Sequence, residues 1–226
     1  MSIITCWSAK AGSGTTVTAA AIALTANRPT VLVDLDGELP IVLGLPEPAG
    51  QGLAEWFSSA APPGAIVDLA VHVDDGVRLV PMGTDRPARD SPRWPVLAAW
   101  MADQSATFVL DAGAAAPPRS LTASSCDRDG DRPGGGRVRD LLVTTTCYLA
   151  TRRAHAIAVR PAGIVLIDRH DDSVSDGDLV RSLGAPIVAK LSLDPEVSCA
   201  VNAGLLERDL PKSLRRGLRS LRRAAV

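Results

Sequence analysis

A short apolar run that passes into a glycine-rich turn and then an alanine-rich helix constrains this chain more than any other feature. Ile3 to Trp7 reads as a strand, Thr16 to Thr25 as a helix and Thr30 to Leu35 as a second strand, which makes a β-α-β opening. Between the first strand and the helix lies Ala9-Lys10-Ala11-Gly12-Ser13-Gly14-Thr15-Thr16. In such a turn successive backbone N–H groups and the positive helix terminus converge on one point, which suits an anion and a phosphate in particular.

The rest of the chain keeps the alternation. A helix is expected near Leu53 to Ser58, an apolar stretch over Ile66 to Val73, and a further apolar run over Val77 to Pro81 after the turn Asp74-Asp75-Gly76. Val96 to Ala102 reads as helix, and Thr107 to Asp111, Leu141 to Thr146, Gly163 to Ile167 and Pro186 to Leu191 as strands. Several of these strands are apolar on both faces, as a strand buried in a parallel sheet must be. The expected fold is therefore α/β: a doubly wound, mostly parallel sheet with helices on both faces, in a single domain over 1–226. Ser124 to Arg139 is polar and glycine-rich, too poor in apolar surface to order itself, and is expected to be a mobile surface loop.

Composition removes several classes of function. With 46% hydrophobic and 22% charged residues and a net charge of -1, the chain is neither a globally basic nucleic-acid binder nor an acidic disordered protein. Cys6, Cys126, Cys147 and Cys199 form no C-x-x-C pair, which argues against a zinc or thioredoxin-like site and for a reducing compartment. The four cysteines read as small core or loop residues, of which Cys126 in the polar loop is the one to test for reactivity, and the four tryptophans, on different elements, read as packing residues. With no signal-like or spanning segment, the expected location is cytoplasmic, peripheral at the inner face of the cell membrane at most. Lys10, Lys190 and Lys212 are the only lysines, so a lysine inside the glycine-rich loop stands out.

The ordinary phosphate-loop pattern G-x-x-x-x-G-K-[ST] falls on residues 9 to 16, with Ala9 at its first glycine and Thr15 at its lysine. Lys10 instead occupies the extra-lysine position of K-G-G-x-G-K-[ST]-[ST], and in this the loop resembles the deviant-Walker ATPases of the MinD and ParA families. Val31-Leu32-Val33-Asp34-Leu35-Asp36 is similar to that family's second strand, and Phe108-Val109-Leu110-Asp111-Ala112-Gly113 to its Walker B strand and switch. Leu142 to Thr146 with Ala150 to Ala154, Val165 to Arg169, and Ala200 to Gly204 resemble its later landmarks, so the likeness covers most of the chain in order. Among subgroups it looks most like TadZ/CpaE-type and septum-site-determining-like proteins of actinobacteria.

The resemblance implies a cofactor, ATP or ADP with Mg2+. Lys10, Ala11, Gly12, Ser13, Gly14, Thr15 and Thr16 would form the phosphate cradle, Lys10 reaching across a nucleotide-sandwiched homodimer. Thr16, Asp34 and Asp111 would serve the metal, Asp36 with Lys10 the chemistry, and Asp168 and Arg169 would flank the base. Losing a cation where charge develops in phosphoryl transfer lowers a rate by about 100- to 1,000-fold, so Thr15 hurts hydrolysis more than binding. Ala11 would strain the turn if its position needs a positive φ. The implied function is a localisation factor for a pilus, secretion or septum apparatus, with partner proteins there and weak or lost hydrolysis. The alternatives are an active ATPase that uses Lys10 and a nucleotide-independent scaffold.

At the C-terminus, Leu214, Leu218, Leu221 and Ala225 recur at helical spacing among Lys212, Arg215, Arg216, Arg219, Arg222 and Arg223. Residues 210–226 are expected to form a basic amphipathic helix, suited to an anionic membrane, less to DNA, or to packing on the core with a solvated arginine face.

Overall fold

The computed structural model describes residues 2–46, 50–122, 137–157, 159–169 and 174–224. Among them one eight-stranded sheet runs through the molecule. Its strands are β1 Ser2–Trp7, β2 Thr30–Asp34, β3 Val71–Asp74, β4 Val77–Val80, β5 Thr107–Asp111, β6 Arg137–Thr145, β7 Gly163–Asp168 and β8 Ile187–Ser192. They lie in the order β3-β4-β2-β5-β1-β6-β7-β8, and all neighbours are parallel except the β3–β4 hairpin at one edge. The helices are α1 Thr15–Leu24, α2 Leu39–Leu43, α3 Leu53–Ser58, α4 Arg93–Asp103, α5 Tyr148–Ala156, α6 Asp176–Leu183, α7 Pro195–Asn202, α8 Lys212–Gly217 and α9 Arg219–Ala224. The doubly wound sheet expected from the alternation is what forms.

Alternation along each strand sorts the core into two faces, because successive side chains point to opposite sides. Ile4, Cys6, Leu32, Val109, Val143 and Val165 meet α1, α2 and the C-terminal helices. Ile3, Val31, Val33, Phe108 and Leu110 meet α3 and α4, while Trp7, Leu142, Ile164 and Leu166 meet α5 and α6. Alanine in α1 lets that helix lie close to the sheet, with Ala19, Ala20, Ala21 and Ala23 fully buried. Trp7, Trp56 and Trp94 are core residues, as expected.

Two sequence expectations need correction. The polar loop expected over 124–139 ends sooner, since Arg137 to Arg139 pair with Ser2 to Ile4 and extend β6. Backbone pairing with a central strand outweighs a polar sequence there. The other residues of that segment, Cys126 included, lie outside the described residues.

The single helix expected over 210–226 is instead two short ones, and its leucine stripe is in the core, with Leu214, Leu218 and Leu221 buried. These helices cover the β8 edge, where Ser220 Oγ donates to Val188 O at 2.6 Å. An uncovered parallel edge would leave backbone groups open to other chains. Lys212, Arg215, Arg216 and Arg219 face solvent. The apolar face that a membrane would need is already taken. No helix among the described residues is long and apolar enough to cross a membrane.

Candidate functional site

The carboxyl ends of the parallel strands, where open α/β sheets bind ligands, hold the glycine-rich turn. Ser8, directly after β1, donates from its backbone N to Gly113 O at 2.9 Å and from Oγ to Lys10 O at 3.1 Å. Ser13 Oγ reaches the same Lys10 carbonyl at 2.7 Å, so two serines close the turn from both sides. Its left-handed positions fall on Gly12 (φ 74°) and Gly14 (φ 81°), which only glycine adopts without cost. Ala11 is therefore not the residue on which that demand falls.

Gly14 precedes α1, and neither a side-chain cap nor an acid occupies the helix's first turn. The first backbone N–H groups of a helix lack partners within it. Here they open on a cleft of about 310 Å³ lined by Gly12 to Thr16, Asp36 and Gly113. Thr15, at the position of the missing lysine, is buried as the first residue of α1. Lys10 is half-buried and does not line the cleft.

Asp34 and Asp111 are register partners at the ends of β2 and β5, both fully buried. Asp34 is committed. Its Oδ1 accepts from Asp36 N at 3.0 Å and Gly37 N at 2.7 Å, and Oδ2 from Leu39 N at 3.2 Å, which caps the start of α2. Burial raises its pKa, and those three bonds oppose the rise. Asp111 accepts at Oδ1 from Gly113 N at 3.0 Å, but Oδ2 is sealed from solvent without a hydrogen-bond partner. Burial pushes its carboxyl up to about 7, the Thr16 hydroxyl and Gly113 N–H pull it down, and the charges of Asp34 and Asp36 raise it.

Asp36 lines the cleft beside Gly113, where an added Cβ would sit 2.1 Å from the Asp36 carboxyl carbon. At a φ of 61°, Gly113 is thus required twice over. Asp36 forms an ion pair with Arg86, a residue that no sequence pattern singles out. Only its place after the carboxyl end of a parallel strand pointed toward it.

On the other flank, Arg169 Nη2 donates to Gly12 O at 3.1 Å. A second cleft of about 170 Å³ runs along the turn between Arg169, Ile167 and the start of α7, with Leu193, Asp194 and Val197 in its wall. Asp168, the last residue of β7, does not line it. The structure thus gathers Gly12 to Thr16, Asp36, Asp111 and Arg169 about one turn and leaves Lys10 and Asp168 outside the two clefts.

The same fold recurs in solved structures. The septum site-determining protein MinD of Pyrococcus horikoshii, complexed with Mg-ADP, superposes with a TM-score of 0.74 at 16% identity, covering 99% of this chain and 95% of that one. The chain has a MinD/ParA-type P-loop NTPase fold. A ParA family ATPase from Chlorobium tepidum gives a TM-score of 0.66 at 17% identity, with 96% and 95% covered. An ATP complex of McdA from Cyanothece gives 0.61 at 16% identity, with 98% and 96% covered. No protein-family model and no curated protein sequence matches the chain.

Magnesium takes hard oxygen ligands and keeps several waters. The Thr16 hydroxyl with the unpaired Asp111 oxygen behind it fits that demand. No cluster of three or more His, Cys, Asp or Glu side chains is placed to hold a metal among the described residues. A cation here would rest on Thr16, water and the ligand's own phosphates, with Asp111 in the outer shell.

Proposed function

We propose that the chain is a nucleotide-binding localisation factor that holds ATP or ADP with Mg2+ at the Gly12–Thr16 turn and turns ATP over weakly or not at all. The observation that carries this reading is the uncapped α1 terminus behind Gly12 and Gly14, opening on a cleft lined by Thr16 and Gly113, with the buried Asp111 and its unpartnered Oδ2 outside the cleft wall. Backbone N–H groups of the turn bind and orient the phosphates. Thr16 and Asp111 hold the cation, which neutralises phosphate charge when bound. Thr15 supplies no positive charge where phosphoryl transfer develops it, so the site is better built to bind than to react.

Solved structures of the same fold include a septum-site protein with Mg-ADP and an ATP complex of McdA, and the shared fold is the support for a positioning role. Assembly as a homodimer, with Lys10 reaching the partner's nucleotide, fits a lysine that lies outside its own cleft. Partner proteins would belong to a pilus, secretion or division apparatus. Among the described side chains, contact with an anionic membrane or DNA would rest on the charge of the exposed Lys212, Arg215, Arg216 and Arg219, since the leucines beneath them are buried.

Equilibrium binding of labelled ATP with and without Mg2+ tests the site, and single-turnover measurements test the chemistry. Binding with turnover far below about 1 per second is the expected result. Turnover at or above that rate overturns the claim of weak hydrolysis, and the absence of any nucleotide binding overturns the reading as a whole.

A further inference from the structure

The cleft is short of fixed positive charge on its own loop, and a different segment brings charge to Asp36, which lines the cleft, although Arg86 itself is not part of the lining. Residues 81–92, which join β4 to α4, carry Arg86 and Arg89 across the Asp36 side of the site. Arg86 pairs with Asp36 Oδ1 and donates from Nη2 to Asp36 O at 3.2 Å. Arg89 donates to Ala116 O, just beyond Gly113. Burial, first, and the neighbouring Arg86 charge lower the Arg89 pKa while the Asp36 charge raises it.

This segment is held on both sides of Arg86. The backbone N of Leu53 donates to Pro81 O and that of Ala54 to Met82 O, each at 2.9 Å. Glu55 accepts from Gly52 N at 2.7 Å, from Thr84 N at 3.1 Å and from the Thr84 hydroxyl. A Cβ on Gly52 would lie 2.5 Å from Pro81 O, so this contact is close backbone against backbone. Beyond Arg86, Trp94 Nε1 donates to Ala88 O at 2.8 Å.

The Arg86 side chain itself stays 60% exposed and that of Asp36 18%, and an ion pair so open to water is readily exchanged. A guanidinium binds phosphate through two parallel N–H bonds and does so better than it binds water or a lone carboxylate oxygen.

We propose that Arg86 is a phosphate-binding residue of this cleft: it supplies, from the same chain, the cation absent at Thr15, and exchanges Asp36 for the terminal phosphate of a nucleoside triphosphate. A diphosphate is one group shorter and leaves Arg86 on Asp36. Arg86 therefore sets the preference for triphosphate over diphosphate. This inference rests on the nucleotide reading above.

The test is equilibrium binding of Mg-ATP and Mg-ADP to the full chain and to Arg86→Ala, Arg86→Lys and Arg181→Ala. A charge-assisted contact of this kind corresponds to roughly a 10- to 100-fold change in affinity. Arg86→Ala is expected to weaken ATP by that factor and ADP by less than about threefold, and Arg86→Lys to recover part of the loss. Arg181, an exposed arginine on α6 paired with Asp178, controls for net charge and is expected to leave both affinities unchanged. Unchanged melting curves show that the variants fold. If the parent chain binds neither nucleotide, the nucleotide reading falls and this inference with it. If the parent binds and Arg86→Ala shifts both ligands equally or not at all, or Arg181→Ala shifts ATP as much, the role of Arg86 alone is overturned.

Discussion

Asp34 and Asp111 end neighbouring strands in register, equally buried, yet they do opposite work. Asp34 spends both oxygens on three backbone N–H groups and so builds the turn into α2. Asp111 keeps one oxygen unpaired behind the turn that would bind phosphate. A buried carboxylate with both oxygens hydrogen-bonded to backbone is architecture. One left partly unsatisfied is costly to the fold and is kept where a ligand supplies the missing partner.

The largest effect should come from Asp34→Ala, which strands three N–H groups of which one begins a helix. A loss of about 3–5 kcal/mol is expected, on the order of 10 °C in melting temperature. A variant that melts within about 2 °C of the parent would erase the contrast between the two aspartates.

Asp111→Asn should do the reverse. Burial lifts the folded-state pKa to about 7, above the ordinary aspartate value of 3.8, so between those pH values the folded protein binds more protons than the unfolded chain. Stability attributable to Asp111 therefore falls as pH rises through that window. The neutral variant should exceed the parent by about 2–4 kcal/mol at pH 8, with the gap closing below about pH 4. Urea titrations across pH measure this, and the same variant should bind nucleotide with less dependence on Mg2+. Equal pH profiles for variant and parent would show that Asp111 is satisfied in the folded chain.

Gly113→Ala sharpens the comparison by pressing on Asp36 without touching either strand end. The clash and the left-handed backbone together should cost about 1–3 kcal/mol in thermal unfolding. Lys10→Ala should be the mildest change, within about 0.5 kcal/mol in the same assay. A clearly larger loss would mean that Lys10 neutralises the buried acids rather than waiting outside the cleft.

Much of this was legible from the chain. The strand, the turn and α1 follow from Ile3 to Trp7, Gly12, Gly14 and the alanines of Thr16 to Thr25, because local periodicity and glycine placement carry their own physics. Trp56 and Trp94 read as packing residues and are. Arg86 was invisible because nothing in Thr84-Asp85-Arg86-Pro87 is periodic, and its partner Asp36 lies 50 residues away along the chain. The C-terminal leucines were legible as an apolar stripe, but a stripe does not say what covers it.

The order of elements, the parallel sheet and the position of the glycine-rich turn were therefore written into the sequence, since each depends on spacing over a few residues. Folding alone assigned the uses of residues that look alike in one dimension. Asp34 and Asp111 both close apolar strands. Three N–H groups converge on the first, while a single one, from Gly113, reaches the second and leaves its other oxygen buried without a partner, because the packing of α1 and α2 on the sheet decides which backbone donors each carboxylate can reach.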